Sequence, residues 1–246
     1  MPDPKPSPRR GTKPKAALVK PMAAHAKAKR LPKPVDRETL TEIFRRFHAI
    51  NPEPKGELEH VNPYTLLVAV VLSAQSTDAG VNKATRLLFP VADTPQKMLA
   101  LGEEGLREAI KTLNFFNTKA KNVIALSRRL VEEFDGEVPD DVAVLETLPG
   151  VGRKTASVVV NIAFGVPRIA VDTHIFRVAN RIPLVRTEAP LDTQEALERI
   201  VPQDYLLDAH HWLILHGRYT CKARKPECWR CPIVDLCRYP DKNPTP

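Results

Sequence analysis

The sequence is poor in cysteine, in glycine and in long apolar runs, and each shortage excludes a class of protein. Four cysteines among 246 residues are too few for a disulfide-dense secreted scaffold. The longest largely apolar run, residues 64–72, has about half the length that a membrane-spanning helix needs. Ten glycines and few alternating segments argue against a β-sheet protein. Because the N-terminal region contains no continuous apolar segment, we expect no secretory signal there.

Positive charge is concentrated in the first 35 residues. This segment holds ten of the 37 Lys and Arg residues, one of the 29 acidic residues and eight of the 24 prolines. The other 211 residues carry 27 basic and 28 acidic side chains. A segment so rich in Pro and Lys buries too little apolar surface to offset chain entropy, so we predict a disordered tail over residues 1–35. We interpret it as a polyanion-binding arm; an inert solubilising tail and, more weakly, a mitochondrial presequence are the alternatives.

From Asp36 onward the pattern is helical, and we predict an all-α fold. Apolar residues recur at three- and four-residue spacing, most clearly over residues 119–134. Asn62-Pro63 and Thr94-Pro95 are typical of an N-cap followed by a first-turn proline. After a first helix that begins near Asp36, further helices are predicted at residues 64–74 and 78–89, from Pro95 onward, and at residues 105–113, 119–134, 140–148, 154–164, 191–201 and 203–216.

A glycine-rich turn, LPGVGRKTA at residues 148–156, joins two of the predicted helices. Its glycines permit close backbone approaches, and the free N–H groups of the following helix suit a phosphate. The turn resembles the helix-hairpin-helix motif of DNA-binding proteins; an ordinary connection in a helical bundle is the alternative. The hairpin residues that we expect to contact DNA are Gly150, Val151, Gly152 and Arg153. Lys154 is either a further phosphate ligand or a nucleophile.

Asp172 separates a short apolar stretch from the next predicted helix. This position is typical of an N-cap, although a capping carboxylate can also face a cleft. A lysine amine attacks a sugar carbon only when it is unprotonated, and a carboxylate within reach can accept its proton or stabilise positive charge on the sugar. Lys154 and Asp172 together therefore suggest chemistry at a nucleotide sugar. We interpret His174 as a packed or hydrogen-bonding helix residue.

All the cysteines of the chain fall within 17 residues: Cys221, Cys228, Cys231 and Cys237. This density predicts a metal site instead of disulfides. Structural zinc sites commonly use two short Cys pairs, whereas only one is present here, so the spacing favours an iron–sulfur cluster and leaves zinc open. The same loop holds a basic patch suited to the DNA backbone, made of Lys222, Arg224, Lys225 and Arg230.

The hairpin, VDTH at 171–174, HHWLILHGRYTC at 210–221 and the cysteine spacing together resemble the endonuclease III family. The resemblance covers about residues 36–240. It implies a base excision repair enzyme, a bifunctional DNA glycosylase and abasic-site (AP) lyase, that removes oxidised pyrimidines from duplex DNA. It implies strand cleavage 3′ to the abasic site by β-elimination, and a 4Fe–4S cluster held by the four cysteines.

The resemblance also implies an architecture with DNA held between two domains. The expected division is a six-helix barrel domain at 56–166 and a cluster domain formed by 36–55 with 167–240. A monomer is expected, acting on double-stranded DNA with damaged bases or abasic sites and not on membranes. Its location would be the bacterial cytoplasm, at the nucleoid, or the nucleus if the source is a eukaryote.

Residue by residue, Lys154 matches the family's Schiff-base nucleophile and Asp172 its catalytic carboxylate. Gln75, in LSAQSTD, matches the residue that enters the DNA gap left by the flipped base. Residues 113–120 match a second intercalating loop. There the sequence departs from the family: Asn114 stands where Gly is usual and Phe115 where an aliphatic residue is common, which puts the loop's conformation and opposite-base preference in question.

Three other functions are compatible with parts of the pattern. Adenine glycosylases share the hairpin, the aspartate and the cluster, but they usually lack the lysine and carry a further C-terminal domain. A thymine-mismatch glycosylase of the same superfamily is the second alternative. A non-catalytic hairpin module with structural zinc is the third.

Overall fold

The structure is a computed structural model that describes residues 32–246. Within this range it is helical and contains no strand, which confirms the predicted all-α fold. The helices are α1 (Arg37–Ile50), α2 (Pro63–Ser73), α3 (Asp78–Leu88), α4 (Pro95–Ala109), α5 (Phe116–Phe134), α6 (Val142–Leu145), α7 (Arg153–Phe164), α8 (Thr173–Arg181), α9 (Pro190–Ile200) and α10 (Gln203–Tyr219), with a 3₁₀ turn at Cys228–Arg230. Residues 1–31, most of the predicted tail, lie outside the described residues.

Helix starts follow local signals in the sequence. Asn62 begins α2 by accepting a hydrogen bond from the Thr65 N–H at 2.8 Å, and the Thr65 hydroxyl accepts from the Asn62 N–H in return. The Thr94 hydroxyl caps α4 by accepting a hydrogen bond from the Lys97 N–H at 3.2 Å. The helix predicted from Pro95 onward and the one predicted over residues 105–113 both correspond to α4, where the non-helical backbone of Gly102, with a φ of 75° and a ψ of 168°, separates two helical parts.

Two hydrophobic cores organise the described region. The first lies among α2 to α7, and its fully buried side chains include Leu66, Met98, Leu106, Ile110 and Leu126. The second brings α1 against α8, α9 and α10; its buried residues include Ile43, Phe44, Ile175, Leu197 and Leu213. The N-terminal helix thus packs with the C-terminal part of the chain.

Residues 169–171 lie at the junction of the two cores. Ala170 packs in the first core, whereas Ile169 and Val171 pack in the second. Alternate side chains of an extended segment point in opposite directions, which accounts for this division. Asp172 follows at once, so the start of α8 is placed at the boundary between the cores.

Residues 32–35, the last part of the predicted tail, are held against the second core. The Val35 N–H donates to the Pro183 carbonyl at 3.1 Å. Arg238 donates to the Pro34 carbonyl at 2.8 Å and pairs with Asp36 at 2.8 Å. These contacts join the approach to α1 to the segment that follows Cys237. Among the described helices, none has the length and apolar character needed to cross a membrane.

Candidate active site

A cleft opens between the two cores, with a volume of about 1020 Å³ that includes the solvent at its mouth. One wall comes from α2 and α7, through Leu66, Val70 and Val158, and the other from α10. Two of the predicted site residues, Gln75 and Lys154, line it. The structure therefore brings the candidate nucleophile and the candidate DNA-gap residue to one cavity.

Lys154 is the second residue of α7, directly after the glycine-rich turn. Gly150 has a φ of 78°, and a Cβ there would come within 2.8 Å of the Asn122 side-chain amide, so the turn requires glycine. Gly152 is the N-cap and has no side chain with which to bond the first N–H groups of α7. Those N–H groups are consequently available to an anion such as a DNA phosphate.

The other hairpin residues divide into backbone and side-chain roles. Val151 is buried in the first core, so any DNA contact it makes is through its backbone. Arg153 is exposed and pairs with Glu146 at 3.1 Å. A DNA phosphate would therefore have to share the Arg153 guanidinium with the Glu146 carboxylate.

Asp172 is the N-cap of α8. Its Oδ1 accepts hydrogen bonds from the N–H groups of His174 at 2.9 Å and Ile175 at 2.8 Å. In the described part of the chain it forms no ion pair with Lys154 and is not part of the cleft wall. The structure thus shows the capping role, and the catalytic role of Asp172 stays a prediction. His174 hydrogen-bonds through Nδ1, 3.3 Å from Arg177 Nη2.

His210, on α10, lies on the wall of the same cleft that Lys154 lines. Its side chain is buried, and its Nδ1 has no hydrogen-bond partner among the described residues. Burial lowers the pKa of His210 to about 3, and the positive charges of Lys154 and Arg218 act in the same direction. His210 is therefore a neutral imidazole at physiological pH. In the sequence, His210 is recognisable only as part of the motif at 210–221, because a histidine on a helix carries no positional signal of its own.

His210 makes the stability of the protein depend on pH. Its pKa is lower in the folded protein than the usual 6.5, so protonation favours the unfolded chain and stability is lost as pH falls below about 6.5. Between about pH 6 and pH 4 this one group should lower the free energy of unfolding by about 1.4 kcal/mol per pH unit. Denaturant unfolding at several pH values should show a slope smaller by that amount in His210→Gln. His48→Gln, at an exposed position, gives the comparison for the substitution itself.

An ionic network closes one end of the cleft and joins the two cores. Arg218 on α10 pairs with Asp78 at 2.5 Å and also with Glu57. The Tyr219 hydroxyl donates to the same Glu57 carboxylate. Because these partners are 140 to 162 residues apart, no local pattern in the sequence could indicate the network.

Two loops meet beside the cleft. The Gln75 loop (residues 74–77) joins α2 to α3, and the Phe115 loop (residues 113–116) leads into α5. The Asn114 side-chain amide donates to the Gln75 carbonyl at 2.7 Å. The left-handed backbone of the second loop falls on Phe115, with a φ of 57°, and not on Asn114. Asparagine is therefore accommodated at position 114 without the backbone freedom of glycine.

The four cysteines surround one cavity of about 350 Å³ and form no disulfide. Within residues 32–246, no three side chains are arranged to hold a single metal ion; the sulfurs stand around a larger space. Burial raises the pKa of the Cys231 thiol to about 11, and the three neighbouring thiols add to this. Four thiolates here need a positively charged partner, which the iron ions of a cluster provide. The donor set and the cavity fit a 4Fe–4S cluster.

The predicted basic patch is partly neutralised within its own loop. Lys222 and Arg230 each lie 2.5 Å from the carboxylate of Glu227. Arg224 and Lys225 are exposed and make no ion pair with a described residue. The positive charge that this loop offers to a phosphate is consequently carried mainly by these two residues.

Comparison with known proteins gives two family matches. Residues 68–203 match the HhH-GPD superfamily of base excision DNA repair proteins. Residues 221–237 match the iron–sulfur binding domain of endonuclease III. The second match covers all four cysteines, which confirms the iron–sulfur prediction.

Individual relatives agree with these matches. Endonuclease III of Escherichia coli K12 is 56% identical over 201 residues, which cover 82% of this chain and 95% of that protein. Endonuclease III of Bacillus subtilis is 48% identical over 78% of this chain and 88% of its own length. A trapped covalent intermediate of endonuclease III with DNA superposes with a TM-score of 0.77 at 43% identity, covering 83% of this chain and 97% of that one. A thermostable thymine-DNA glycosylase gives 0.73 at 25% identity, over 82% of this chain and 95% of that one.

Proposed function

Because the chain belongs to the endonuclease III family of the HhH-GPD superfamily, we propose that it removes oxidised pyrimidines from duplex DNA and cuts the strand at the resulting abasic site. This is the work of a bifunctional DNA glycosylase and AP lyase with a 4Fe–4S cluster. The observation that carries the proposal is the position of Lys154. It lines a cleft of about 1020 Å³, solvent at the mouth included, and stands at the start of a helix whose first N–H groups have no side-chain cap.

The reaction uses the Lys154 amine as its nucleophile. The neutral amine attacks the sugar C1′, the bond from C1′ to the base breaks, and the base leaves with the bonding electron pair and a proton. Opening of the sugar ring then gives an imine between Lys154 and C1′. Loss of a 2′ proton breaks the C3′–O3′ bond and cuts the strand 3′ to the lesion.

Asp172 supports these steps from the start of α8. Its Oδ1 is engaged with two backbone N–H groups, which fixes the carboxylate at the boundary between the cores. The Asp172 carboxylate can accept the amine proton, or its negative charge can stabilise positive charge on the sugar. His210 is neutral and can accept a hydrogen bond through Nδ1, without adding to the positive charge beside Lys154.

The remaining groups bind and bend DNA. The α7 N–H groups and the exposed Arg224 and Lys225 hold phosphates, and the Gln75 and Phe115 loops fill the gap left by the extruded nucleotide. Cys221, Cys228, Cys231 and Cys237 would hold the iron–sulfur cluster, and their ligation would fix the loop at 221–237. The first core with α2 to α7 and the second with α1 and α8 to α10 would serve as the barrel and cluster domains.

A panel of defined duplexes tests the proposed function. We expect base release and strand cutting with an oxidised pyrimidine, and strand cutting alone with a preformed abasic site. Activity confined to adenine opposite an oxidised guanine would instead indicate an adenine glycosylase, and activity confined to thymine opposite guanine would indicate a thymine-mismatch glycosylase. If the cluster-loaded protein had no activity on any of these duplexes, the result would indicate a non-catalytic DNA-binding module.

The N-terminal segment should increase the affinity of the protein for duplex DNA without affecting which lesions it recognises. Residues 1–31 contain nine Lys or Arg and one Asp, so their deletion should weaken binding to undamaged duplex. It should also flatten the dependence of log K on log salt, by about 0.9 for each phosphate that the segment neutralises in the full-length protein. Salt titrations of full-length and truncated protein measure this. A changed ranking of lesions after truncation would show that the segment does more than bind polyanions.

We propose that the protein acts as a monomer on damaged or abasic double-stranded DNA in the bacterial cytoplasm, at the nucleoid, or in the nucleus of a eukaryote. A single chain has a mass of 27.5 kDa. Light scattering of the holoprotein should give about this value, and a doubled mass would contradict the monomer.

A further inference from the structure

Two exposed residues beside the cleft have an unusual backbone conformation. Gln75 has a φ of 56° and Phe115 a φ of 57°, in the left-handed region that side chains with a Cβ adopt at a cost. Phe115 is also 63% exposed to solvent. Strained residues persist where surrounding contacts hold them, and they concentrate at functional sites. Because the Phe115 ring is exposed, burial of apolar surface within the protein does not offset the cost of this backbone conformation.

Contacts between the two loops hold this arrangement. The Asn114 amide donates to the carbonyl of Gln75, and the Lys119 ammonium donates to the Ser76 hydroxyl at 2.8 Å. Lys119 is 5% exposed, so its contact is made within the protein and not at the solvent boundary. Both donors come from the Phe115 side, and both acceptors belong to the Gln75 loop. The two loops are consequently joined before any ligand arrives.

We infer that Asn114 is a positioning residue, whose amide holds the Gln75 and Phe115 loops together as one preformed wedge for duplex DNA. The inference rests on the proposed function, since a wedge is useful only where a nucleotide must leave the helix. Glycine at position 114 could not make the contact, because it has no side chain. Phe115 stacks on a base beside the gap, as exposed aromatic residues do in nucleic-acid sites. Gln75 enters the gap from the cleft side.

Loops that are already joined lose less conformational entropy when DNA binds. Removing the Asn114 hydrogen bond should therefore slow extrusion of the nucleotide. The probe is a duplex with an oxidised pyrimidine next to 2-aminopurine, whose fluorescence rises when its neighbour unstacks. Asn114→Ala should extrude the nucleotide about 3- to 10-fold more slowly, the factor expected when one hydrogen bond is removed. Asn117→Ala, at an exposed position of α5 in the same segment, is the matched control for the substitution itself and should extrude faster than Asn114→Ala.

A second pair of variants separates the hydrogen bond from side-chain size and charge. Asn114→Asp keeps the shape but turns a donor into an acceptor facing the Gln75 carbonyl, and Asn117→Asp adds the same charge nearby. Slowing in Asn114→Asp beyond that in Asn117→Asp supports the inference. Equal rates in each pair, with intact cluster absorbance, would overturn it.

A separate reaction keeps this test independent of the proposed function. Borohydride trapping on a preformed abasic site should fall by no more than about tenfold in any of the four variants, because one hydrogen bond is the largest loss expected. If wild-type protein gives no trapped adduct, the proposed function fails first. If trapping is normal and Asn114 variants extrude like their controls, only the wedge inference fails.

Discussion

Replacement of Lys154 by Ala should abolish the covalent protein–DNA adduct that borohydride traps, and should lower strand cutting by at least about 10³-fold. The reason is chemical: no imine forms without an amine within reach of C1′. Lys154 is exposed at the start of α7, so the variant should fold and keep its cluster. Gel analysis of a borohydride-treated, oxidised-pyrimidine duplex measures the adduct directly.

Lys55 provides the matched control for this experiment, because it is the other lysine that lines the cleft. Lys55→Ala should still give the trapped adduct. Persistence of the adduct in Lys154→Ala, combined with its loss in Lys55→Ala, would move the nucleophile to the other side of the cleft. Loss in both variants would leave the nucleophile unassigned.

Asp172→Asn should lower turnover by about 10² to 10⁴-fold while leaving the fold intact. Asparagine keeps a side-chain oxygen for the N–H groups of His174 and Ile175 and caps helices about as well as aspartate. The substitution therefore removes the charge and retains the cap. Single-turnover base release and duplex affinity, measured side by side, should show a lower rate with binding preserved.

Asp141→Asn gives the comparison for loss of charge at a cap. Asp141 caps α6 through a 3.0 Å hydrogen bond from the Val144 N–H and is exposed. Turnover by the Asp141→Asn variant should remain near that of the wild type. Undiminished turnover in Asp172→Asn would return that residue to a purely structural role, and equal losses in both variants would point to a general effect of charge.

Features that depend on adjacent residues could be predicted from the sequence. Asn62, Thr94 and Asp172 cap helices as their positions indicate, since capping involves residues two or three apart. The glycine-rich turn and the cysteine spacing could be recognised for the same reason. The family match confirmed the iron–sulfur cluster that the spacing favoured over zinc.

Features that depend on the packed structure could not be predicted in this way. The pairing of Arg218 with Glu57 and Asp78 needs the two cores to be assembled. The burial of His210, and hence its neutral state, is set by neighbours from distant segments. Asn114 was identified as a departure from the family, but its partner at Gln75 is 39 residues away. The structure supplies a reason for asparagine there.

The identity of the residue that becomes bonded to DNA is the most direct test of Lys154 as the nucleophile. Wild-type protein is trapped with borohydride on an oxidised-pyrimidine duplex, digested with nuclease and protease, and the modified peptide is sequenced by mass spectrometry. We expect a reduced sugar remnant on the side-chain nitrogen of Lys154. A remnant on Lys55, on another lysine or on the N-terminal amine would contradict it.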